Sequence, residues 1–227
     1  KPGSVGLSQL DLMTQVSVKI CGMVALQDVE ASVDAGADYL GFVFFEKSPR
    51  NLSVPQAATL MQDVPDAVQK VALLVNPTDV FLSDLLAAAP VDLLQLHGSE
   101  TPERLFEIKE TTGVPVMKAL GVADQSDLAA IDSYADVADQ ILVDAKPPKG
   151  ADLPGGNGLA FDWTLIANRT WSQPWMLAGG LRPDNARAAI SRTGAVQLDV
   201  SSGVETAPGV KDPALIRAFI ETAKRSY

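Results

Sequence analysis

Eight short β-branched runs, helical spacing in most of the stretches between them, and a length suited to one domain predict an α/β fold, a single small (β/α)8 barrel with a parallel eight-stranded core. The chain has 227 residues, 47% hydrophobic and 20% charged. That is enough apolar material for one sizeable core and too little chain for two full-sized domains.

The elements follow in order. Residues 1–12 (KPGSVGLSQLDL) carry no sustained period and precede a start-like Met13, so they are read as leader sequence outside the fold, and the domain is read as 13–227. The predicted strands are VSVKIC (16–21), YLGFVFF (39–45), QKVALLV (69–75), LLQLHG (93–98), VPVMKAL (114–120), QILVDA (140–145), WMLAGG (175–180) and AVQLDVSSGV (195–204). Helical spacing recurs at 26–36, 54–64, 77–89, 102–113, 124–135, 182–194 and 212–227. Strands apolar on both faces and separated by helices suit a parallel sheet, because a parallel crossover needs a dozen or more residues. Eight units over 13–227 leave about 27 residues each, below the ~250 in total that is usual for a TIM barrel, so the helices must be short. The alternative, an open doubly wound sheet, lacks its glycine-rich first turn: ICGMVAL stands after the first strand. One connection breaks the rhythm. KPPKGADLPGGNGLAFDW (146–163) is long and rich in Pro, Gly and Lys, and it reads as a lid on the face where barrel chemistry occurs.

Composition narrows the function. Eighteen Lys and Arg against 28 Asp and Glu give a formal charge of −10, which argues against a nucleic-acid partner or a membrane surface, since either needs a basic face. One Cys and one His allow no internal disulfide and too few soft ligands for structural zinc, so no metal is expected and a reducing, cytoplasmic setting is. No run approaches the ~18 apolar residues of a membrane span.

Barrel active sites are assembled at the carboxyl ends of the strands. The polar groups there are Cys21, then Ser48 and Arg50 after strand two, Gln95 and His97 in strand four, Asp144 ending strand six, Gly179 and Gly180 ending strand seven, and Asp199, Ser201, Ser202 and Gly203 along strand eight. Alternation along a strand puts Lys19 and Cys21 on the inner face, with Val18 and Ile20 facing the helices. Gln197, Asp199 and Ser201 share a face of strand eight, the neighbour of strand one in a closed barrel. Lys19 and Asp199 are therefore expected to form a buried ion pair. LAGGLRPDN and LDVSSGVE combine small residues, hydroxyls and a helix start, the pattern of a phosphate site on loops seven and eight. A solitary Cys21 in an apolar strand reads as a small buried hydrophobe or, at the strand's end, as a thiolate for proton transfer or attack. His97, with no second His or Cys, reads as an orienting or substrate-contacting group. Asp144, ending an otherwise apolar strand, has no packing explanation.

With these residues named, the sequence resembles the phosphoribosylanthranilate isomerase family. The resemblance runs from Val16 to the C-terminus on VKICGM, ADYLGFVFFEKSPRNLS, LLQLHGSE, ILVDA, LAGGLRPDN and LDVSSGVE. It implies an isomerase of tryptophan biosynthesis that needs no cofactor, acts on a small phosphorylated substrate, and works as a monomer or homodimer. It implies a general base at Cys21, a general acid at Asp144, an arginine for the anthranilate carboxylate at Arg50, and a phosphate cradle from Gly179, Gly180, Ser201, Ser202 and Gly203. Lys19, Gln95, His97 and Asp199 are supporting residues. Where the family commonly reads GGTGKTFDW, this chain reads GGNGLAFDW, so a lid lysine or hydroxyl has no counterpart here. The implied reaction, an Amadori rearrangement, opens the ribose by protonating its ring oxygen, forms a Schiff base at C1′, and removes the C2′ proton. Asp144 must then hold its proton well above an ordinary pKa of about 3.9, whereas a thiol near 8.5 is expected to need little help. Competing readings are another phosphosugar barrel, such as indole-glycerol-phosphate synthase or ribulose-phosphate epimerase, and a non-catalytic barrel that binds a phosphorylated ligand. Lysine and glutamate would carry the synthase, and paired aspartates with metal-binding histidines the epimerase, while Cys21, Asp144 and Arg50 together disfavour the non-catalytic barrel.

Overall fold

The computed structural model describes residues 15–146 and 161–225. The leader expected at 1–12 and nearly all of the expected lid, residues 147–160, lie outside the described residues.

Eight parallel strands close into a barrel in chain order: β1 (Ser17–Cys21), β2 (Tyr39–Phe44), β3 (Gln69–Leu74), β4 (Leu93–Leu96), β5 (Val116–Val122), β6 (Gln140–Ala145), β7 (Trp175–Leu177) and β8 (Gln197–Val200). Closure is made between β8 and β1, where Val18 pairs with Leu198 and Lys19 with Asp199. Helices α1 (Leu26–Asp34), α2 (Val54–Gln62), α3 (Asp79–Ala88), α4 (Pro102–Thr112), α5 (Leu128–Asp132), α6 (Ala186–Thr193) and α7 (Pro213–Lys224) fill the seven stretches with helical spacing. Between β6 and β7 the described residues hold one 3-10 turn, Trp163–Leu165.

The helix ends are written locally. Ser53 accepts from the Gln56 N–H, and Gln56 reaches back to the Ser53 N–H, a capping box that starts α2. Thr101 caps α4 with Pro102 in its first turn, and Gly113 ends it in the left-handed conformation. Asp212 caps α7, accepting from the N–H groups of Ala214 and Leu215.

Strand alternation divides the apolar residues into two layers. Inside the barrel lie Val71, Leu93, Met117, Ala119, Leu142, Met176 and Ala178. Between strands and helices lies the larger layer, with Val18, Ile20, Leu40, Phe42, Ile141, Val143 and Leu198 against residues such as Ile216 and Phe219 of α7. The expected parity of β1 holds: Val18 and Ile20 face the helices and Lys19 faces inward.

β7 and β8 end furthest short of their expected runs, and β4 stops at Leu96. β7 ends at Leu177 because Gly179 and Gly180 take positive φ, which leaves the extended region. β8 ends at Val200; the chain then makes a 3-10 turn over Ser202–Val204 and a small antiparallel hairpin, β9 (Glu205–Ala207) with β10 (Val210–Lys211). Ser201 leaves the strand at φ −127 and ψ −82, and the turn that follows contains Gly203, so the Ser-Ser-Gly run is a turn signal rather than a continuation of the strand.

The last helix packs on α1, α6 and β1, so its start is a stability lever. Asp212→Ala should cost about 1 kcal/mol by the usual worth of an N-cap, read as a lower Tm with unchanged far-UV dichroism.

Candidate active site

All eight strands point the same way, so Cys21, Asp144 and the loops after β2, β7 and β8 share one rim of the barrel. Beneath the rim, Lys19 Nζ meets Asp199 Oδ1 at 2.8 Å, the ion pair expected from register. Lys19 is fully buried. Burial depresses its ammonium, but the charges of Asp199 and Cys21 outweigh that and raise its pKa.

Asp144 is 6% exposed and its carboxyl is pushed up to about 7. Burial is the main cause and the Asp199 charge the second; a 2.7 Å hydrogen bond from the Ala145 N–H and the Lys19 charge oppose them. The upward shift required of a general acid is therefore present. His97 Nε2 stands 3.6 Å from Asp144 Oδ2, outside hydrogen-bond range, and Gln95 Nε2 stands 3.3 Å from His97 Nδ1. Burial, with the charges of Lys19 and Lys118, lowers the His97 pKa to about 3. The ring is neutral at physiological pH, and Gln95 and His97 stand as a polar pair beside the acid.

Cys21 corrects an expectation. The thiol is only 4% exposed, and burial raises its pKa; Lys19 and Lys211 pull it down, and Asp199 pushes it up. Lys19 is already engaged by Asp199, so the thiol lacks the easy ionisation expected of an ordinary cysteine.

Arg50 holds the second surprise. Its Nε and Nη2 donate to Glu205 Oε1 and Oε2 at 2.8 and 2.7 Å, so the fork expected to face a substrate carboxylate is taken by a carboxylate of the protein. Lys211 Nζ meets Glu205 Oε1 at 2.7 Å and donates to the Ser201 carbonyl at 3.1 Å. Ser201 Oγ in turn donates to the Cys21 carbonyl at 3.0 Å. Gly22 permits the arrangement: it sits at φ +87, and a Cβ there would lie 2.4 Å from Arg50 Cδ.

The residues expected to form a phosphate cradle lie on two adjacent loops. Gly179, Gly180, Ser201, Ser202 and Gly203 are all partly exposed, and no acceptor among the described residues is engaged by the N–H groups of Gly180, Ser202 or Gly203. Asn185 fixes the loop by donating to the Gly180 carbonyl at 2.9 Å and accepting from the Arg182 N–H at 2.8 Å. At Gly179, φ is +87 and a Cβ would lie 2.6 Å from the Ala145 N, so the loop packs against the backbone beside the acid. Among the described residues, no group of three or more His, Cys, Asp or Glu side chains could hold a metal ion, and no helix is long and apolar enough to cross a membrane.

The family model for N-(5′-phosphoribosyl)anthranilate isomerase matches residues 18–222. The chain belongs to that family. It is 58% identical over 212 residues to the N-(5′-phosphoribosyl)anthranilate isomerase of Cereibacter sphaeroides (strain ATCC 17029 / ATH 2.4.9), covering 93% of this chain and 100% of that one. Among solved structures it is similar to a monomeric form generated from the dimeric phosphoribosylanthranilate isomerase of Thermotoga maritima, at 37% identity and a TM-score of 0.80 over 92% of this chain and 98% of that one. It is also similar, at 36% identity and a TM-score of 0.81 over the same shares, to a phosphoribosylanthranilate isomerase in complex with reduced 1-(o-carboxyphenylamino)-1-deoxyribulose 5-phosphate.

Within this isomerase fold, sequence reasoning missed Gly22, Glu205 and Lys211. Glu205 closes the LDVSSGVE motif and was readable as a motif member, but no periodicity links Lys211 to it. A buried acid held near 7 should weigh on stability. The folded pKa lies above the unfolded one, so the stabilisation is complete only below pH 4 and is lost as pH rises toward 7. Asp144→Asn should therefore melt at a higher temperature than the parent at pH 8, by on the order of a few kcal/mol in stability, with the gap narrowing steadily between pH 7 and 4. Equal melting temperatures at pH 8 would remove the upward shift.

Proposed function

We propose that Asp144 is the general acid and Cys21 the general base of the family's reaction, the Amadori rearrangement of N-(5′-phosphoribosyl)anthranilate to 1-(2-carboxyphenylamino)-1-deoxyribulose 5-phosphate in tryptophan biosynthesis. The observation that carries the assignment is the Asp144 carboxyl, lifted to about 7 on the same rim as the sole cysteine. At neutral pH this carboxyl is about half protonated, against roughly one molecule in a thousand for an ordinary aspartic acid. Asp144 protonates the ribose ring oxygen, the C4′ oxygen leaves C1′, and the anthranilate nitrogen's lone pair forms the protonated Schiff base. Cys21 then takes the C2′ proton, and the electrons of that bond flow to the iminium to give the enolamine, which tautomerises to the ketose.

The high thiol pKa suits this sequence. A thiolate that is hard to form is a stronger base once formed. The iminium charge that appears beside it after ring opening both acidifies the C2′ hydrogen and stabilises the thiolate, so the base is activated after the acid has acted.

The 5′-phosphate is assigned to the cradle of Gly179, Gly180, Ser201, Ser202 and Gly203, where N–H groups and hydroxyls can receive a dianion. Arg50 is assigned the anthranilate carboxylate through the edge that Glu205 leaves open. Lys19 and Asp199 tune both reacting groups, while Gln95 and His97 line the acid. A reducing cytoplasm suits a chemistry that depends on a free thiol, and a monomer or homodimer suits the family, one of whose members is described as dimeric.

Three results test these roles. Cys21→Ser and Asp144→Asn should each lower kcat by at least about a thousandfold while product still binds in an equilibrium titration, since general acid–base groups are commonly worth 10² to 10⁴. Near-normal turnover from either variant would reject its role. Arg50→Lys should raise KM at least tenfold with a small change in kcat, because one ammonium cannot hold the Glu205 carboxylate on one edge and present a second edge to the substrate; an unchanged KM would count against the carboxylate role. The pH profile has a distinctive sign, because the acid titrates below the base. Up to about pH 7 the thiolate fraction grows while Asp144 stays protonated, so kcat/KM should rise. Beyond 7 the loss of acid cancels the gain in thiolate and gives a plateau, and activity should fall only above the raised thiol pKa. A decline that starts at 7 would reverse the order of the two groups.

A further inference from the structure

The reading of Arg50 as the carboxylate receptor leaves a problem of charge. A guanidinium clasped on two atoms by a carboxylate makes a neutral pair, and a neutral pair attracts an incoming carboxylate weakly. The structure supplies the missing charge from the β9–β10 hairpin. Lys211, whose side chain is fully buried, places its Nζ 2.7 Å from Glu205 Oε1, 3.1 Å from the Ser201 carbonyl and 3.4 Å from Ser201 Oγ. Three acceptors around one nitrogen are the partner set of an ammonium with three N–H bonds. Burial lowers its pKa below the usual lysine range, and the Glu205 charge and hydrogen bond oppose that shift. Glu205 is itself fixed, with a side chain only 3% exposed and a further hydrogen bond from the Gly209 N–H at 3.2 Å. Its carboxylate is kept below the ordinary range by Arg50 and Lys211 against the effect of burial.

We propose that Glu205 and Lys211 are a positioning pair for Arg50: Glu205 holds the Nε–Nη2 edge so that only the Nη1 side is presented, and Lys211 restores one net positive charge to the cluster. Together they set selectivity for substrates that carry a carboxylate on the aromatic ring. Neither residue touches the reacting atoms. Their separation from Arg50 in sequence is bridged by the hairpin, which also packs closely on the β2 loop at Gly209, where an added Cβ would lie 2.9 Å from the Pro49 carbonyl oxygen. The short decoration after β8 thus acquires a purpose.

The inference rests on Arg50 receiving the carboxylate, and the test separates the two claims. The readout is the ratio of kcat/KM for phosphoribosylanthranilate to that for phosphoribosylaniline, the analogue without the carboxylate. Any effect of Lys211 on the Cys21 thiol acts on both substrates and cancels in this ratio. Arg50→Ala should collapse the ratio; if it does not, the reading of Arg50 itself fails. Given that collapse, Lys211→Met should lower the ratio on the order of tenfold, the effect of one unit of charge at short range. Lys211→Arg should keep it near the parent value. The double variant Glu205→Gln with Lys211→Met removes one charge of each sign, returns the cluster to one net positive charge, and should recover most of the ratio. A merely structural role predicts the opposite, because the double variant loses more contacts than the single. An unchanged ratio in Lys211→Met, or a double variant worse than the single, would overturn the proposal. The Lys211→Arg and double variants keep it testable if Lys211→Met alone fails to fold.

Discussion

The Lys19–Asp199 ion pair is the constraint around which the rim is organised. It forms at the one seam where the last strand of the barrel meets the first, between residues that are register partners. A fully buried ammonium would otherwise cost several kcal/mol, so the pair is a strong discriminator of correct closure: a one-residue slip of β8 would turn Asp199 into the helical layer and leave Lys19 unpaired inside. The same two charges act on both proposed reacting groups. Asp199 pushes the Cys21 thiol and the Asp144 carboxyl upward, and Lys19 pulls both downward. A structural seam and the tuning of an acid and a base are thus one interaction.

Burial does most of the remaining work. Cys21 and Asp144 are buried at the top of a filled barrel whose interior is apolar side chains around the Lys19–Asp199 pair and Gln95, and desolvation favours the neutral form of each. For the acid that is what the chemistry requires. For the proposed base it creates a demand that the proposed reaction would meet, since the positive charge that favours the thiolate would appear only after ring opening. The polar groups beside the acid are a neutral His97 and, behind it, Gln95, whose Oε1 has no hydrogen-bond partner among the described residues.

The side of the rim proposed to receive the anions is built differently. It uses backbone and fixed charge rather than titrating groups: glycine turns after β7, hydroxyls after β8, and a three-residue charged cluster whose members lie on the β2 loop and the hairpin. Ser201 connects the two halves through its hydroxyl to the Cys21 carbonyl and through its own carbonyl to Lys211. A substrate with an anion at each end would be held by these groups, with its sugar over the acid and base between them.

Legible along the chain are the eightfold alternation of strand and helix, the inward parity of Lys19, Cys21 and Asp199, the side-chain caps of α2, α3, α4 and α7, and most of the polar residues of the rim, Glu205 and Lys211 excepted. These follow from local rules: period two in strands, period 3.6 in helices, and a parallel topology that places consecutive units side by side. The lid was named from composition, and residues 147–160 lie outside the described residues. What tertiary structure decided is how the rim groups are paired and charged. The Arg50 fork is filled by Glu205, 155 residues away in sequence, and the thiol expected to ionise easily is held neutral. Hydrogen-bond partners across the barrel mouth and the degree of desolvation are sums over neighbours in space, and no periodicity along the chain encodes them.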